Sequence, residues 1–439
     1  MKILLIHPPI REEALPANLP LGLAYTAAAL REAGVPCEVL DLNVTRYGHP
    51  DIENTVRSKF GTGGFTHVGI SAIVTQFSRV EEIVGWVRDV RADAPVIVGG
   101  PISVLGGRLH EWLGVDVWQG ESEPLFAETL QNGDLDRPDR SPIWMQLKAG
   151  PLNSELLPLW SAFNMEAYTR NPVGAVNRNK WSGGIPGGDP VPRSMNLVWA
   201  RGCPYACAFC SHCQMGLKYR KRTPADIIHE MEILWQRYGV RYFHAADDLS
   251  TADADWMREL CAGIMGHTYL VDCTWGCAAR ANHCSPDLLL AMQEAGCVLV
   301  GLGIESGSQK VLDSYNKRTT VEQNEKAINT CKEVFGGADY SMMVGSPVED
   351  DESIQESIEL CRRTKTRPEV VFFTTPLPGT PLYDTAVETG RIGDELAYVR
   401  ALGDFRERPY ANLTNQSGYW LQEARARIVR ETAKWGSLI

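Results

Sequence analysis

Four cysteines fall within the stretch RGCPYACAFCSHC at residues 201–213, in an otherwise cysteine-sparing chain. Cys203, Cys207 and Cys210 are spaced C-x3-C-x2-C, and Cys213 follows three residues later. Close thiolates are metal ligands. A structural zinc site draws four ligands from two separated pairs, and no clean second pair follows: Cys273 and Cys277 lie four apart on a strand and its exit. Three thiolates instead suit a [4Fe-4S] cluster that leaves one iron free of protein and open to a small molecule. Gly202 and Pro204 shape a turn for the loop, and Phe209 sets an aromatic ring beside the last cysteine. Cys213 reads as a spare structural thiol, with a rescue ligand as the other option. His212 reads as a surface or hydrogen-bonding residue rather than a fourth ligand.

The loop needs a strand before it and a scaffold around it. From Met195, MNLVWA leads into the cysteines, then apolar strand-like runs alternate with helical patterns: VRYFHAADDL, VDCTWGCAAR, CVLVGLGIESG, ADYSMMVGSPVED and EVVFFTTPLPGTPLY. Six such strands predict a partial (β/α)6 barrel with its chemistry at their carboxyl ends. Asp247 and Asp248 close the second strand, either as helix caps or as ligand-binding carboxylates. Glu305 closes the fourth, as a hydrogen-bonding carboxylate for a ligand or for the next loop. Trp199 and Trp275 read as packing residues that could also line the cavity.

Upstream, KILLI, CEVLDL, HVGISAIV, PVIVGG and VDVWQG alternate with amphipathic segments such as SRVEEIVGWVRDVRADA. That alternation predicts a doubly wound, Rossmann-like parallel sheet over residues 1–132. Ligands in such folds cross the carboxyl strand ends, here Pro8, Pro9, Ser71, Ala72, Val74, Thr75, Gln76, Gly99, Gly100, Pro101, Gly120 and Glu121, which the pattern alone reads equally as ordinary strand-to-helix turns. Residues 133–192, rich in Pro, Gly, Asn and Ser, read as a linker packed on both domains. The barrel is expected over 193–388 and a small helical C-terminal region over 389–439.

The 439 residues are 44% hydrophobic and carry a formal charge of −11. That size predicts two or three cored domains, and the acidity argues against nucleic-acid or membrane-surface partners. MKILLIHPPI is too short and too quickly ended by prolines for a secretory leader, and no apolar run reaches the roughly twenty residues of a membrane span. A cytoplasmic setting, with twelve reduced cysteines, is expected.

The motif CPYACAFC resembles the signature of the radical S-adenosylmethionine (SAM) superfamily, and Asp247, Asp248, Arg280, Glu305, Ser306 and Val344 fall in order on strand ends as they do there. HPP, LPLGLAY (Leu21 and Gly22), ISAIVTQ, IVGGP and GESE are similar to the cobalamin-binding domain of the B12-dependent branch. The resemblance implies a cluster on Cys203, Cys207 and Cys210, SAM held by Phe209, Asp247, Asp248, Arg280, Glu305, Ser306 and Val344, and cobalamin on the first domain. No histidine stands in an Asp-x-His-x-x-Gly arrangement, so a histidine below the cobalt is not expected; the metal would face Val74, Thr75 and Gln76.

The implied activity is cobalamin-dependent methyl transfer to an unactivated carbon of a small metabolite or natural-product intermediate, or of a peptide, through a 5'-deoxyadenosyl radical. An electron donor such as flavodoxin or ferredoxin is implied too. The alternative is a ring closure or rearrangement without methylation. No catalytic acid or base is singled out.

Overall fold

The computed structural model describes residues 1–10, 16–46, 48, 50–123, 125–133, 141–145, 152, 156–170, 192–211, 218–403 and 408–436. They fall into two compact units.

The first unit is built on a six-stranded, all-parallel sheet. Its strands are β1 (Ile3–His7), β2 (Cys37–Asp41), β3 (His67–Ser71), β4 (Val96–Gly99), β5 (Asp116–Gln119) and β6 (Ile143–Met145), in the order β2-β1-β3-β4-β5-β6. ILLIH in β1 is buried on both faces, as a central parallel strand must be. Helices such as Leu21–Glu32 and Phe77–Val90 cover the faces; Val80, Ile83, Val84 and Val87 on the latter recur at helical spacing and are buried. Strand order reverses at β1, flanked by β2 and β3, which puts the switch-point crevice at His7, Pro8 and Ser71.

Two segments join this unit that periodicity did not reveal. β6 comes from the expected linker and pairs Val117 with Ile143; three residues are too few for a legible alternation. Helix Glu395–Ala401 comes from the expected C-terminal region. Arg400 forms a two-pronged ion pair with Glu81, at 2.9 and 2.5 Å, and its carbonyl accepts from the Ser78 hydroxyl at 3.0 Å.

The second unit contains the predicted half barrel. β7 (Ser194–Leu197) is followed by a short antiparallel ribbon of β8 (Ala200–Arg201) and β9 (Arg220–Lys221), then by β10 (Tyr242–Ala245), β11 (Thr274–Ala279), β12 (Cys297–Glu305), β13 (Asp339–Val344) and β14 (Val370–Phe373). The six main strands are parallel in the order β7-β10-β11-β12-β13-β14, each beside its successor. Connecting helices start and stop on local signals. Helix Pro224–Tyr238 has Thr223 accepting from the Asp226 amide, Pro at its first position, and Gly239 left-handed at φ 67° as its stop. Such an N-cap contributes about 1 kcal/mol. Asp253 and Ser285 cap the two following helices in the same way.

Trp199 and Trp275 are fully buried and meet edge to face, with ring centroids 5.1 Å apart, and Trp275 Nε1 donates to the Ala295 carbonyl at 2.8 Å. Both are packing residues and neither lines the cavity. Among the described residues no helix is long and apolar enough to cross a membrane.

Candidate functional site

The cysteine loop leaves β8 through Gly202, at φ 81°. Two carboxylates fix its entry. Asp247 Oδ1 accepts the amides of Trp199 and Ala200 at 2.8 and 3.0 Å, while Oδ2 accepts from the Ser250 hydroxyl at 3.0 Å. Burial pushes the Asp247 carboxyl up to about 7. Asp248 Oδ2 accepts the Gly202 amide at 3.1 Å. The structure therefore places this acidic pair on the backbone that presents the cysteines, and Asp247 has no oxygen left idle.

Cys203 and Cys210 are half-buried, Cys207 is buried, and none of the three is in a disulfide. The Cys210 amide donates to the Cys207 carbonyl at 3.1 Å, tightening the loop. Arg280, at the end of β11, donates from Nη1 to Cys207 Sγ at 3.3 Å and from Nη2 to the Lys317 carbonyl. Its guanidinium carbon lies 3.7 Å from the centroid of the Tyr205 ring, whose hydroxyl bonds His283 Nε2 at 2.6 Å. The guanidinium thus gives the Cys207 sulfur a charged hydrogen-bond donor. Among the described residues no group of three or more His, Cys, Asp or Glu side chains is arranged to hold a single metal ion. In a cubane each thiolate instead serves a different iron, so the triad and its guanidinium fit a [4Fe-4S] cluster.

Lys317 was missed in the sequence. Its Nζ pairs with Glu305 Oε1 at 2.7 Å, with side chains 6% and 9% exposed, and lies 5.7 Å from the Phe209 ring centroid. Asn316 and Arg318, at φ 48° and 53°, flank Lys317 and turn this loop, and Glu305 itself sits at φ 63°. Left-handed backbone at a non-glycine residue is strained by about 1–3 kcal/mol and clusters at functional sites. Gly303 makes the pair possible, because a Cβ there would lie 2.6 Å from Glu305 Oε1 and 2.9 Å from Lys317 Nζ. A single lysine outside any periodic element leaves no spacing signal; only the fold brings it over β12.

Phe209 packs edge to face on Tyr315, and the Ala208 amide donates to the Tyr315 carbonyl at 2.8 Å. Cys207, Phe209, Arg280, Glu305 and Lys317 thus form one connected group. Ser306 and Val344 stand apart from it. The Ser306 hydroxyl bonds Ser357 Oγ at 3.1 Å and accepts the Ser308 amide, and Val344 is fully buried with its carbonyl taken by the Thr374 amide. His212 and Cys213 lie outside the described residues.

In the first unit, the residues expected to hold cobalamin collect at the carboxyl edge of the sheet and its flanking turns. Gln76 bridges two strand ends, donating to the Pro8 carbonyl at 2.7 Å and accepting the Ile73 amide at 2.8 Å. Val74 and Gln76 are buried, while Ile73 is 37% exposed. Gly100 takes φ 80°, where a Cβ would stand 2.9 Å from the Ala72 carbonyl oxygen and 3.0 Å from Ser71 Oγ. Gly120 is also left-handed, at φ 99°. His7 is buried, its Nδ1 3.3 Å from the Ser71 carbonyl and its Nε2 without a partner; burial lowers its pKa. An orphaned buried nitrogen beside a glycine cradle at a switch point fits a polar group of a bound cofactor.

Comparison with known proteins agrees. The model of the radical SAM superfamily matches residues 197–361, and that of the B12 binding domain matches residues 11–130. The chain belongs to the cobalamin-dependent radical SAM family. Its cofactors are a [4Fe-4S] cluster, SAM and cobalamin. An uncharacterised methyltransferase of Pyrococcus horikoshii is 26% identical over 88% of this chain and 83% of its own. The anaerobic magnesium-protoporphyrin IX monomethyl ester cyclase of Cereibacter sphaeroides is 26% identical over 91% of this chain and 66% of its own. The solved radical SAM methyltransferase TsrM of Kitasatospora setae, with cobalamin and a [4Fe-4S] cluster bound, shares the fold at a TM-score of 0.67, with 19% identity over 88% of this chain and 75% of its own. As a member of this family the chain is a radical SAM enzyme.

Proposed function

We propose that this enzyme transfers a methyl group to an unactivated carbon of a small molecule. The single observation that carries the reading is the connected group of Cys207, Arg280, Lys317, Glu305 and Phe209 at the mouth of the half barrel, in a chain that also carries a cobalamin domain. Bound in the protein, the cluster and SAM supply a carbon-centred radical and cobalamin supplies the methyl group.

Cys203, Cys207 and Cys210 hold the cluster in this reading. Arg280 neutralises thiolate charge, and Asp247 and Asp248 hold the loop in place through its amides. Glu305, fixed by Lys317, presents a carboxylate oxygen to the amino group or ribose hydroxyls of SAM, and Phe209 closes the loop side against water. In the first unit the Gly100 turn, Ile73 and Gln76 offer a glycine cradle, an apolar surface and a rigid bridge for cobalamin. The protein's contribution is positioning and exclusion of water. Electrons come from a donor of the flavodoxin or ferredoxin type, and the reaction runs in the cytoplasm, where the thiols stay reduced.

The methyltransferase relative supports methylation, and the cyclase relative supports ring closure as the second reading. Anaerobic protein loaded with iron, sulfide, cobalamin, SAM and a reductant separates them by its products. A methylase releases S-adenosylhomocysteine alongside 5'-deoxyadenosine; 5'-deoxyadenosine alone during substrate turnover overturns the methylation reading.

A further inference from the structure

Strand alternation sorts the side chains of the half barrel onto two faces. One is covered by helices: Trp275 bonds Ala295, and the Tyr340 hydroxyl lies 3.4 Å from Cys361 Sγ on helix Asp351–Thr364. The other is the concave face, on which His244 of β10 registers with Asn196 of β7 and Gly276 of β11. Tyr242, two residues earlier, closes the floor, since a Cβ on Gly276 would lie 2.5 Å from its hydroxyl. Glu305 and Lys317 close the top over Gly303. His244 stands between floor and top, on the wall of the space that remains.

Its Nδ1 is shut off from water and has no hydrogen-bond partner. Leaving such a nitrogen unpaired costs about 1–3 kcal/mol. Burial pushes the imidazole down to about 4, so the ring is neutral at physiological pH. Beside it the space over Gly301 is open, since a Cβ there would meet only the Cys277 carbonyl oxygen, at 3.8 Å, so a flat molecule can lie against the strand at that point. The far wall is apolar, with Met343 and Phe372 paired in register and half-buried. Among the described strand residues of this face none is Lys or Arg, so a buried anion would find no counter-charge on them.

We propose that His244 is the substrate-reading residue of the barrel: its imidazole bonds an uncharged amide, hydroxyl or ring N–H on a flat, largely apolar substrate lying over Gly301. The inference rests on the reading that the barrel holds the substrate.

The test compares benzamide with benzoate, nearly equal in shape but differing in charge, on SAM-loaded holoprotein by saturation-transfer NMR. Wild type is expected to bind benzamide at least about tenfold more tightly than benzoate, and His244→Leu to lose about threefold to tenfold of benzamide affinity. His244→Asn, which keeps an amide near the Nδ1 position, is expected to stay within about threefold of wild type. Iron content and cobalamin absorbance of each variant report folding, and His244→Asn carries the test if the leucine variant does not assemble. Absence of benzamide binding, equal binding in the leucine variant, loss in the asparagine variant with full cofactor content, or tighter benzoate binding overturns the assignment. No turnover is involved, so failure here leaves the methylation reading standing, and failure of methylation leaves this result readable.

Discussion

Asp247 gives the sharpest quantitative test of how the cysteine loop is held. Its carboxylate is deeply buried and held by three neutral donors, the amides of Trp199 and Ala200 and the Ser250 hydroxyl. Its pKa stands at about 7 instead of 3.8, because burial penalises the charge more than the three bonds relieve it. The folded chain therefore holds a proton on this group that the unfolded chain has already released, and the stability it contributes is full below about pH 4 and lost as pH rises through about 7. At about 1.4 kcal/mol per pH unit the full swing is about 4 kcal/mol, of which about 2.5 falls between about pH 5 and about pH 8. Asp247→Asn keeps an oxygen for the two amides and cannot ionise, while Ser250 can reverse and accept. The variant should match wild type within about 1 kcal/mol near pH 5 and gain about 2.5 kcal/mol on it by about pH 8. Urea denaturation under argon, followed by circular dichroism at both pH values, measures the difference. A wild-type-to-variant gap that stays constant with pH would refute the reasoning.

Replacing Cys203, Cys207 or Cys210 singly by serine should cut bound iron and sulfide severalfold, and iron retained after all three are replaced would sink the cluster assignment. Lys317→Met strips the partner from a carboxylate that is 9% exposed, so about 3–5 kcal/mol of stability is expected to go, with most of it recovered in the Glu305→Gln, Lys317→Met double variant; urea midpoints decide, and additive losses would count against the pair. Gly100→Val puts a side chain where φ is 80° and the Ala72 carbonyl oxygen is 2.9 Å from Cβ. Cobalamin bound per chain should fall at least about tenfold, whereas Gly85→Ala, with open space around it, should leave the cobalamin spectrum unchanged.

Apart from β6, both sheets were legible because each strand carries its own signal: a short apolar run, a helix of the right period after it, and turn residues between. The cluster loop was legible because thiolate spacing is local. What could not be read were interactions carried by one residue of a long loop or by the aim of a side chain. Lys317 meets Glu305 only because the backbone around it turns left-handed. Asp247 and Asp248 stand at the expected strand end, yet their oxygens turn to backbone amides, and Ser306 turns to Ser357; residue type does not encode that choice. His244 lies within a strand-like run, and only the register with Asn196 and Gly276 shows which face it takes.

The helix Glu395–Ala401, anchored on Glu81 by Arg400, has a consequence for how the protein is made. The first unit is made before the barrel, yet it is finished only when this segment, made after the barrel, arrives. Helix Phe77–Val90 must wait through the synthesis of the whole barrel with its outer face at Ser78 and Glu81 uncovered. A fragment ending at the first domain's last strand would lack that cover for good, so expression trials that cut the gene there should yield aggregate where the full-length product stays in solution.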